Sequence, residues 1–459
     1  MSESGPVAPG AFRFVVADSI AYLNPDHWDS VAARSGLFLS RPFLQLLEQH
    51  LPGNLSTHYA VVYSGDRPVA AVAAQSLDIR AADLSAGHVP EASPGFWHAV
   101  KEAALRTFRR ARRRVLLFDS VLLWPFRMDA GGEQAELWPE VASNLWRRFR
   151  KLLKAAERAA EFPVGWVHLR FLVCGNLLST GPHGVAFAGG EDPMKMWPAV
   201  VEALYRIRKS STLFGESDMV MIKDLTDEQY GAGAALRRSA FRRFATEPNM
   251  VLHLKPAWKC FEDCLKDMKS EYRSRIRKTI QELENSGIVL ERLSPEQVEA
   301  QAAEIHRLYH QVHDRQKLRL VTIPEEWIPA LARRYQDDFR TVAARSREGG
   351  RLLGFITLVR DGDSAFGFYV GFDKAAAAQG FPLYLSLVYA GVAQAIEMGA
   401  ARVVLGRTAL GPKAQIGAKA QKMYGYLRHR SSALNLAVPS ILALLPAPEN
   451  APERHPFKA

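Results

Sequence analysis

The sequence predicts an α/β protein with two tandem domains, each built on a mixed, mostly antiparallel central sheet flanked by helices. Length is the first reason, because 459 residues are long for one domain and comfortable for two. The second reason is an alternation of strand-like and helix-like segments, with hairpin signals between them. The third is that the first half of the chain weakly repeats one of these hairpins.

The second half has the clearer pattern. Pro295 and Glu296 open a helix after the first strand, and another helix begins at Pro324. A Glu348-Gly349-Gly350 segment predicts a hairpin turn, and Gly399 predicts the end of a strongly apolar helix. The predicted order is strand, two helices, three strands, helix, strand and helix, over residues 288–293, 295–316, 324–335, 341–345, 351–359, 365–372, 383–398, 401–405 and 412–429.

The first half has a similar but weaker order. Its hairpin turns at Ser64-Gly65-Asp66 between strands of small residues, as the hairpin at 348–350 does. An unrelated α/β domain is the alternative interpretation of this half. Predicted strands cover residues 12–17, 57–63, 68–77, 115–123, 164–174 and 218–224, and predicted helices cover residues 27–34, 42–50, 97–113, 133–161 and 193–209.

This order sets the expected domain boundaries. We expect an N-terminal domain at residues 1–225, a connecting basic helical segment at 226–286, and a C-terminal domain with an apolar tail at 287–459. The connecting segment is expected to contain a basic helix, a strand and a longer helix, at residues 234–246, 250–254 and 261–286.

The composition favours an anionic partner. The formal net charge is +11 and the isoelectric point is about 9.5. Nucleic acid, an acidic membrane surface and a phosphate-rich cofactor all match this charge. Aromatic residues do not interleave the basic runs, and no recognised nucleic-acid motif appears. Four basic runs carry much of the charge, at residues 106–114, 147–154, 237–243 and 269–278.

Targeting and redox signals are few. Cys174, Cys260 and Cys264 form no disulfide framework, and no second Cys or His pair completes a zinc site. Free thiols in a reducing cytoplasm are the expected state. The N-terminal segment lacks the regions of a signal peptide. An apolar stretch at 431–448, broken by Pro439, either packs on its domain or docks peripherally on the inner membrane.

Three strings in the chain resemble segments of a known family. The first is FEDCLKDMKSEYRSRIRKTIQELENSG, with a basic and aromatic centre around Tyr272 and Arg273. The second is AIEMGAARVVLGRTALGPKAQIGAKAQKMYGYLRH, and the third is VCGNLLSTGPHGVAF with the later VMIKDL. They resemble the FemAB-like or CelD/BcsL-like branch of the GNAT superfamily, from Phe38 onward. The resemblance implies two tandem GNAT-like domains that transfer an acyl group to an amine.

One loop differs from the pattern of this family. The resemblance implies that the donor pantetheine lies between the fourth and fifth strands, with its pyrophosphate at the N-terminus of the next helix. Gln379 and Gly380 are kept as candidate donor-binding residues, but Phe381-Pro382-Leu383 replace the rest of the usual Gly-rich loop. Fewer N–H groups are then expected for a pyrophosphate. An acyl carrier protein or an aminoacyl-tRNA is therefore an alternative donor to acyl-CoA.

Three polar residues directly follow the fifth strand of the second half: Arg407, Thr408 and Lys413. Ligands of α/β folds meet strand ends at such points. Arg407 and Thr408 are therefore candidates for donor binding. Lys413 is a candidate for holding a phosphate, or for stabilising the oxyanion formed when an amine attacks an acyl carbonyl. A solvated loop lysine is the alternative interpretation.

Tyrosines supply the candidate proton donors. By resemblance to GNAT enzymes, a tyrosine protonates the leaving thiolate. Tyr369 on the fourth strand and Tyr424 in the last predicted helix are the candidates. Tyr426 is expected on a different face of that helix. A core tyrosine with a satisfied hydroxyl is the alternative.

Three histidines are expected on one face of the first helix of the second half, at His306, His310 and His313. A neutral histidine near pH 7 can take the proton of an ammonium acceptor. His310 and His313 are therefore candidate bases. No acidic cluster supports a metal at this spacing, and no metal is expected. A solvated or partly buried helix face is the alternative.

The predicted function is N-acyl transfer. Resemblance to bacterial ceramide synthases implies that a fatty acyl group moves from acyl-CoA or acyl carrier protein to a lipid-like amine, such as a sphingoid base. Resemblance to peptidoglycan-biosynthesis proteins implies instead a Fem-like transfer from aminoacyl-tRNA to a peptidoglycan precursor. A non-catalytic GNAT-like binding module is the third hypothesis. The expected location is the cytoplasm, with an anionic membrane surface and, as a weaker alternative, tRNA as further partners.

Overall fold

The structure is a computed structural model that describes residues 12–80, 168–210, 216–226, 229, 233–314, 320–443 and 448–458. The elements predicted at 97–113, 115–123 and 133–161, and the basic runs at 106–114 and 147–154, lie outside the described residues. The predicted α/β class is confirmed, because thirteen described strands form one mixed sheet flanked by helices. No helix in the described ranges has both the length and the apolar character needed to cross a membrane.

The N-terminal half of the sheet combines antiparallel strands with one parallel pair. Its strands are β1 (Phe12–Ala17), β2 (Leu55–Ser64), β3 (Arg67–Arg80), β4 (His168–Cys174), β5 (Val185–Phe187) and β6 (Met219–Thr226). Its helices are α1 (Pro25–Ala32), α2 (Arg41–Gln49), α3 (Pro193–Ser210) and α4 (Gly233–Arg238). Strands β1, β2 and β3 are antiparallel neighbours. Strands β4 and β6 are parallel, with Cys174 opposite Ile222.

The C-terminal half has the same kind of order. Its strands are β7 (Arg242–His253), β8 (Ile288–Leu293), β9 (Phe339–Ser346), β10 (Leu352–Asp361), β11 (Ser364–Phe372), β12 (Arg402–Val404) and β13 (Lys419–His429). Its helices are α5 (Phe261–Asp267), α6 (Ser270–Asn285), α7 (Pro295–Ala300), α8 (Ala302–His313), α9 (Trp327–Tyr335), α10 (Lys374–Ala378), α11 (Leu383–Glu397), α12 (Leu410–Gln415), α13 (Ser432–Asn435) and α14 (Val438–Leu442). Strands β8 to β11 are antiparallel, and β12 is parallel to β11.

The two halves exchange strands at the middle of the sheet. The strand order is β1-β2-β3-β4-β6-β13-β7-β12-β11-β10-β9-β8, with β5 beside β3. Strand β7 follows β6 in sequence but pairs with β12, where Val251 lies opposite Val404. Strand β13 follows β12 in sequence but is the neighbour of β6. Each half is therefore completed by a strand that comes after the other half's parallel pair.

The exchange explains the main errors of the sequence predictions. The last helix predicted at 412–429 is wrong after Gln415, because Lys419–His429 form β13. The basic helix predicted at 234–246 is also wrong beyond Arg238, because Arg242–His253 form β7. Both segments contain good helix formers, but pairing between β7 and β13 overrides that weak local preference. The segment at 226–286 therefore contains a central strand as well as helices.

Both halves contribute to one apolar core. Trp28, Phe38 and Phe43 of the N-terminal half are fully buried, as are Trp327 and Phe355 of the C-terminal half. The rings of Phe43 and Trp327 lie 6.0 Å apart, centroid to centroid. Burying a large aromatic side chain contributes roughly 1.5–3 kcal/mol. Contacts across the two halves therefore stabilise them as one compact unit, in which the described residues are 12–78, 170–428 and 448–458.

Candidate active site

The two strands that the sequence predicted as the fourth and fifth of the second half are the parallel pair β11 and β12. Ser364 lies opposite Arg402, and Phe366 lies opposite Val404. Strand β12 ends at Val404, whereas β11 continues to Phe372. The two strands therefore stop pairing inside the sheet. The chain leaves β12 there to form the turn that carries the predicted Arg407 and Thr408, and the helix α12 that follows carries Lys413.

Tyr369 lies in a bulge of β11. The register between β10 and β11 shifts at Thr357, whose Oγ1 accepts a 2.9 Å hydrogen bond from the Tyr369 N–H. The Tyr369 hydroxyl accepts a hydrogen bond from Trp327 Nε1 at 2.8 Å and donates one to the Leu178 carbonyl at 3.0 Å. Burial raises the pKa of Tyr369. Its proton is thus held by Leu178, and Tyr369 joins β11 to a loop of the N-terminal half.

Arg407 belongs to a buried charge cluster that the sequence analysis missed. Its guanidinium donates a hydrogen bond to the carboxylate of Asp224, a residue that is 1% exposed. Lys223 Nζ lies 2.7 Å from the other carboxylate oxygen of Asp224. Lys223 also donates to the carbonyls of Asn176 and Ser179, both at 2.8 Å. The end of β6 and the turn after β12 therefore meet at one carboxylate.

The partners of Asp224 keep its carboxylate ionised. Burial alone would raise the pKa of Asp224, but the charges of Lys223 and Arg407, together with the Gly181 N–H, lower it to about 2. Burial lowers the pKa of Lys223, and Asp224 opposes this change. Asp224 also has a left-handed backbone, with a φ of 63°. Such a conformation persists in a non-glycine residue only where the surroundings fix it.

Lys413 is a buried amine without a partner among the described residues. It lies on α12, its residue is 3% exposed, and no hydrogen bond or ion pair joins its side chain to that part of the chain. Burial lowers the pKa of Lys413 to about 8. Lys413 Nζ lies close to Gly406, 3.9 Å from the position that a Cβ atom would take at that glycine. The amine is therefore beside the turn that also carries Arg407, whereas Thr408 is exposed.

The start of α11 has an uncapped N-terminus. Gln379 and Gly380 are exposed after the short helix α10, and Gly380 has a φ of 96°. Pro382 is the N-cap of α11 and makes no side-chain cap. Among the described residues, no acceptor is hydrogen-bonded to the N–H of Tyr384 or Leu385. This helix end therefore still offers two N–H groups and the positive end of its dipole to an anion.

The three histidines have different surroundings on α8. His313 is 5% exposed, and its Nε2 lies 3.1 Å from Thr322 Oγ1. His306 Nε2 donates to a carbonyl of the following loop, at 3.0 Å. His310 is more exposed, and its Nδ1 lies 3.4 Å from Asp314 Oδ1. Within the described ranges, no group of three or more His, Cys, Asp or Glu side chains is arranged around a metal position.

Tyr424 and Tyr426 lie on β13, so their expected placement on different faces of a helix is wrong. Two residues apart on a strand, they face the same side of the sheet. Both belong to or pack against the core cluster of the N-terminal half that contains Leu172 and Trp197, in which Tyr426 is fully buried. The Arg243 guanidinium lies 5.2 Å from the centre of the Tyr424 ring. The exchanged strand β13 therefore places Tyr424 against the core of the N-terminal half. Leu410 and Ala414 of α12 belong to a different core cluster.

A cavity of about 320 Å³ lies in the N-terminal half, at the ends of β4 and β6 and the start of α3. Val185, Phe187, Trp197 and Ile222 form much of its wall, and Lys223 also lines it. The candidate residues selected from the sequence all lie in the C-terminal half, so this cavity was not predicted. The two strings VCGNLLSTGPHGVAF and VMIKDL, which carry part of the family resemblance, supply much of its lining and could have indicated it.

Residues 270–414 match the family model of the acetyltransferase (GNAT) domain. No curated protein matches the chain. A tandem GNAT protein from the clavulanic acid biosynthesis pathway is similar over 92% of this chain and 99% of its own, with 10% identity and a TM-score of 0.46. L-PGS from Bacillus licheniformis is similar over 60% and 82% of the two chains, with 13% identity and a TM-score of 0.39. FemX is similar over 58% and 81%, with 12% identity and a TM-score of 0.37.

The matched domain defines the class of enzyme. It covers α6 to α12, and so includes β11, β12, Tyr369, Arg407 and Lys413. Residues 270–414 are accordingly a GNAT acetyltransferase domain, and the chain is an N-acyltransferase, an enzyme that moves an acyl group from a donor to an amine. Acyl-CoA is the typical donor of a GNAT domain. The solved structures resemble the chain at TM-scores below 0.5, and no property of its site follows from them.

Proposed function

We propose that this enzyme transfers a fatty acyl group from an acyl thioester to the primary amine of a lipid-like acceptor, such as a sphingoid base, with Lys413 at the reacting centre. The buried Lys413 amine, beside the turn that follows β12, carries the proposal. Desolvating a lysine without a partner is costly, so a structure that keeps one has an interaction to gain from a ligand. A buried cation next to a strand end suits an acyl carbonyl that becomes an oxyanion.

The proposed reaction uses Lys413 in two steps. A base, for which His310 and His313 remain the candidates, first takes the proton of the acceptor ammonium. The neutral amine then attacks the carbonyl carbon, a C–N bond forms, and the Lys413 ammonium stabilises the oxyanion. The adduct then expels the thiolate as the C–S bond breaks. Lys413 gives its proton to the thiolate and takes the surplus proton from the new amide nitrogen. A pKa of about 8 suits this exchange, because an ordinary thiol titrates at about 8.5.

The start of α11 supports a donor that carries phosphate. The N–H groups of Tyr384 and Leu385 have no acceptor in the described residues, and the first turn of this 15-residue helix contains no acidic side chain. Both acyl-CoA and the phosphopantetheine of an acyl carrier protein would supply an anion there. Arg407, Thr408, Gln379 and Gly380 stay candidate donor-binding residues.

Charge and exposed apolar groups support a lipid-like acceptor at an anionic surface. The net charge is +11. Near the C-terminal end of the described residues, Leu434 is 45% exposed and Leu436 is 60% exposed, on the short helical segment that follows Arg430. Exposed leucines beside basic residues are typical of segments that lie on membranes. We therefore propose a cytoplasmic enzyme that binds the inner membrane peripherally.

A ligand and turnover screen tests the proposal. We would measure the melting temperature with CoA, palmitoyl-CoA or total tRNA, because a ligand that binds only the folded state raises it. Turnover would be measured as thiol release from palmitoyl-CoA with a sphingoid base. The test variant is Lys413→Met, and the matched control is Lys419→Met, at an exposed lysine on β13. Thiol release that only Lys413→Met abolishes is the expected result.

Other outcomes would overturn the proposal. Salt-sensitive stabilisation by tRNA alone would favour aminoacyl transfer in place of fatty acyl transfer. A folded protein that binds none of the three compounds and releases no thiol, with the acyl carrier protein donor also inactive, would indicate a non-catalytic binding module. Full activity in Lys413→Met would remove Lys413 from the mechanism.

A further inference from the structure

We propose that the cavity of the N-terminal half binds the alkyl chain of the amine acceptor, with the ammonium group at the cavity mouth beside Asp192. The inference rests on the proposed transfer to an amine and names where the acceptor lies. A volume of about 320 Å³ is at the lower end of ligand pockets in proteins. It therefore suits a slender chain better than a nucleotide.

The wall of the cavity consists mainly of apolar side chains, and the charge of its one lysine is paired elsewhere. Phe187 and Trp197 meet edge to face with ring centroids 5.9 Å apart, and Val185, Ile222 and Leu225 complete the apolar lining. Among the described residues of this lining, Lys223 is the one cationic side chain. Its ammonium group is occupied by Asp224 and two carbonyls, as described above. Lys223 therefore presents its aliphatic stem rather than a free charge.

The mouth of the cavity disfavours an anion. Pro193 and Met194, the first two residues of α3, line the cavity, and Met194 is 51% exposed, so we take this end as the mouth; Asp192 directly precedes it. Asp192 already occupies this helix end, because its Oδ1 accepts the Met194 N–H at 3.0 Å and its carbonyl accepts the Lys195 and Met196 N–H groups. The carboxylate also neutralises the helix dipole. No ion pair joins Asp192 to the described residues, so its charge is available to a cation.

The position of the cavity suits an acceptor for chemistry in the other half. Lys223 lines the cavity, Asp224 follows it, and Asp224 holds Arg407 of the turn after β12. Tyr369 of β11 holds the neighbouring loop through the Leu178 carbonyl. Lys223 and Asp224 therefore connect the cavity wall to the segment that carries the candidate donor site. Lys195 shares the first turn of α3 but is not part of the lining.

Binding in the absence of any donor tests the inference separately from turnover. We would titrate the full chain with dodecylamine, dodecanoate and CoA, all below micelle formation, by calorimetry. Val185→Trp fills the cavity, and Leu290→Trp is the control, at an exposed strand position of the other half. Met194→Trp, at a residue that is 51% exposed, narrows the mouth without disturbing the core. Asp192→Asn keeps a capping oxygen but removes the charge.

We expect dodecylamine to bind more tightly than dodecanoate, and Val185→Trp and Met194→Trp each to weaken dodecylamine at least tenfold. Leu290→Trp should bind like the parent chain, and Asp192→Asn should lose about threefold for the amine while improving dodecanoate. Equal binding of both amphiphiles, unchanged amine binding in both cavity variants, or competition by CoA would each overturn the inference. Amine binding without thiol release would instead count against the proposed function alone.

Discussion

The two halves of the sheet each contain a parallel strand pair. In each half a long helix lies between the two strands of the pair in sequence, and the two helices begin differently. In the N-terminal half, Asp192 caps α3 and adds a negative charge. In the C-terminal half, Pro382 precedes α11, which has no side-chain cap and no acidic first turn. The same helix end is thus closed to anions in one half and open to them in the other. Two similar frameworks can in this way divide the binding of two unlike substrates.

The ends of the two parallel pairs show a second difference. Each contains a left-handed residue, Asp224 with a φ of 63° near the end of β6 and Gly406 with a φ of 77° just after β12. The end of β6 places its charges, Lys223 and Asp224, in a paired cluster. The turn after β12 lies beside Lys413, which has no such partner among the described residues. The paired charges stabilise the fold, whereas the unpartnered Lys413 amine is the group that we propose for the reaction.

The largest expected effect comes from breaking the paired cluster. Asp224→Asn keeps the shape of the side chain but leaves Lys223 and Arg407 buried without their counter-charge. We expect the free energy of unfolding to fall by about 3–5 kcal/mol. Denaturant titration would measure it, with Asp363→Asn as control, since that carboxylate is 68% exposed in its pair with Arg402. A loss no greater than in the control would mean that the cluster does not stabilise the fold.

The same cluster should make the free energy of unfolding depend on pH in the acid range. The pKa of Asp224 is about 2 in the folded chain, against an ordinary value of 3.8 for an aspartate. Its contribution is therefore fully present above about pH 4 and is lost as the pH falls from about 4 to 2. Unfolding measured across this range should show a steeper loss in the parent chain than in Asp224→Asn. Parallel curves for the two proteins would contradict the prediction.

Removing the unpartnered amine should separate stability from activity. Burial lowers the pKa of Lys413 from its ordinary value of 10.5 to about 8, so the charged form is disfavoured in the folded chain. The resulting destabilisation is full below about pH 8 and is relieved as the pH rises toward 10.5. We expect Lys413→Met to gain up to about 3 kcal/mol at pH 7 and none near pH 11, while turnover falls at least a hundredfold. A variant that is both less stable and still active would refute this role.

Tyr369→Phe should have a smaller effect, and chiefly on stability. Trp327 Nε1 and the Leu178 carbonyl would each lose a partner, at a cost of about 1–3 kcal/mol. Because the hydroxyl proton is held by Leu178, kcat should stay within a few-fold of the parent value at a temperature where both proteins are folded. A hundredfold fall in kcat at unchanged stability would show instead that Tyr369 donates the proton.

The smallest effect is expected at the start of α3. Asp192→Ala removes the cap, whereas Asp192→Ser keeps a capping oxygen without the charge. We expect the alanine variant to lose about 1 kcal/mol of stability and the serine variant a few tenths. Thermal unfolding would measure both. If the two variants lose equally, the charge rather than the hydrogen bond of Asp192 matters at this helix end.

Local patterns in the sequence predicted most of the sheet. The hairpins and the apolar helix α11 follow from periodicity and turn residues that act over short distances. The exchanged strands β7 and β13 could not be predicted in the same way, because their partners are distant in sequence. Lys419–His429 begins with good helix formers, and only its pairing with β7 makes it a strand.

The candidate site shows the same limit. Arg407 and Lys413 could be selected because they follow a strand end, and the structure puts both beside one turn. Asp224 could not be linked to Arg407, since 183 residues separate them. The Asp192-Pro193 pair is a recognisable helix start that was available in the sequence. This pair would have distinguished the start of α3, which Asp192 caps, from the start of α11, which has no side-chain cap.

The strand exchange has a consequence for synthesis of the chain on the ribosome. Strand β6 is complete at residue 226, but its neighbour β13 is made only after residue 418. During that interval the nascent N-terminal half has an unpaired strand edge, a surface that promotes aggregation. Folding of the first half therefore has to wait for the last strand of the second, and the two halves are expected to reach the native state together rather than in the order of translation.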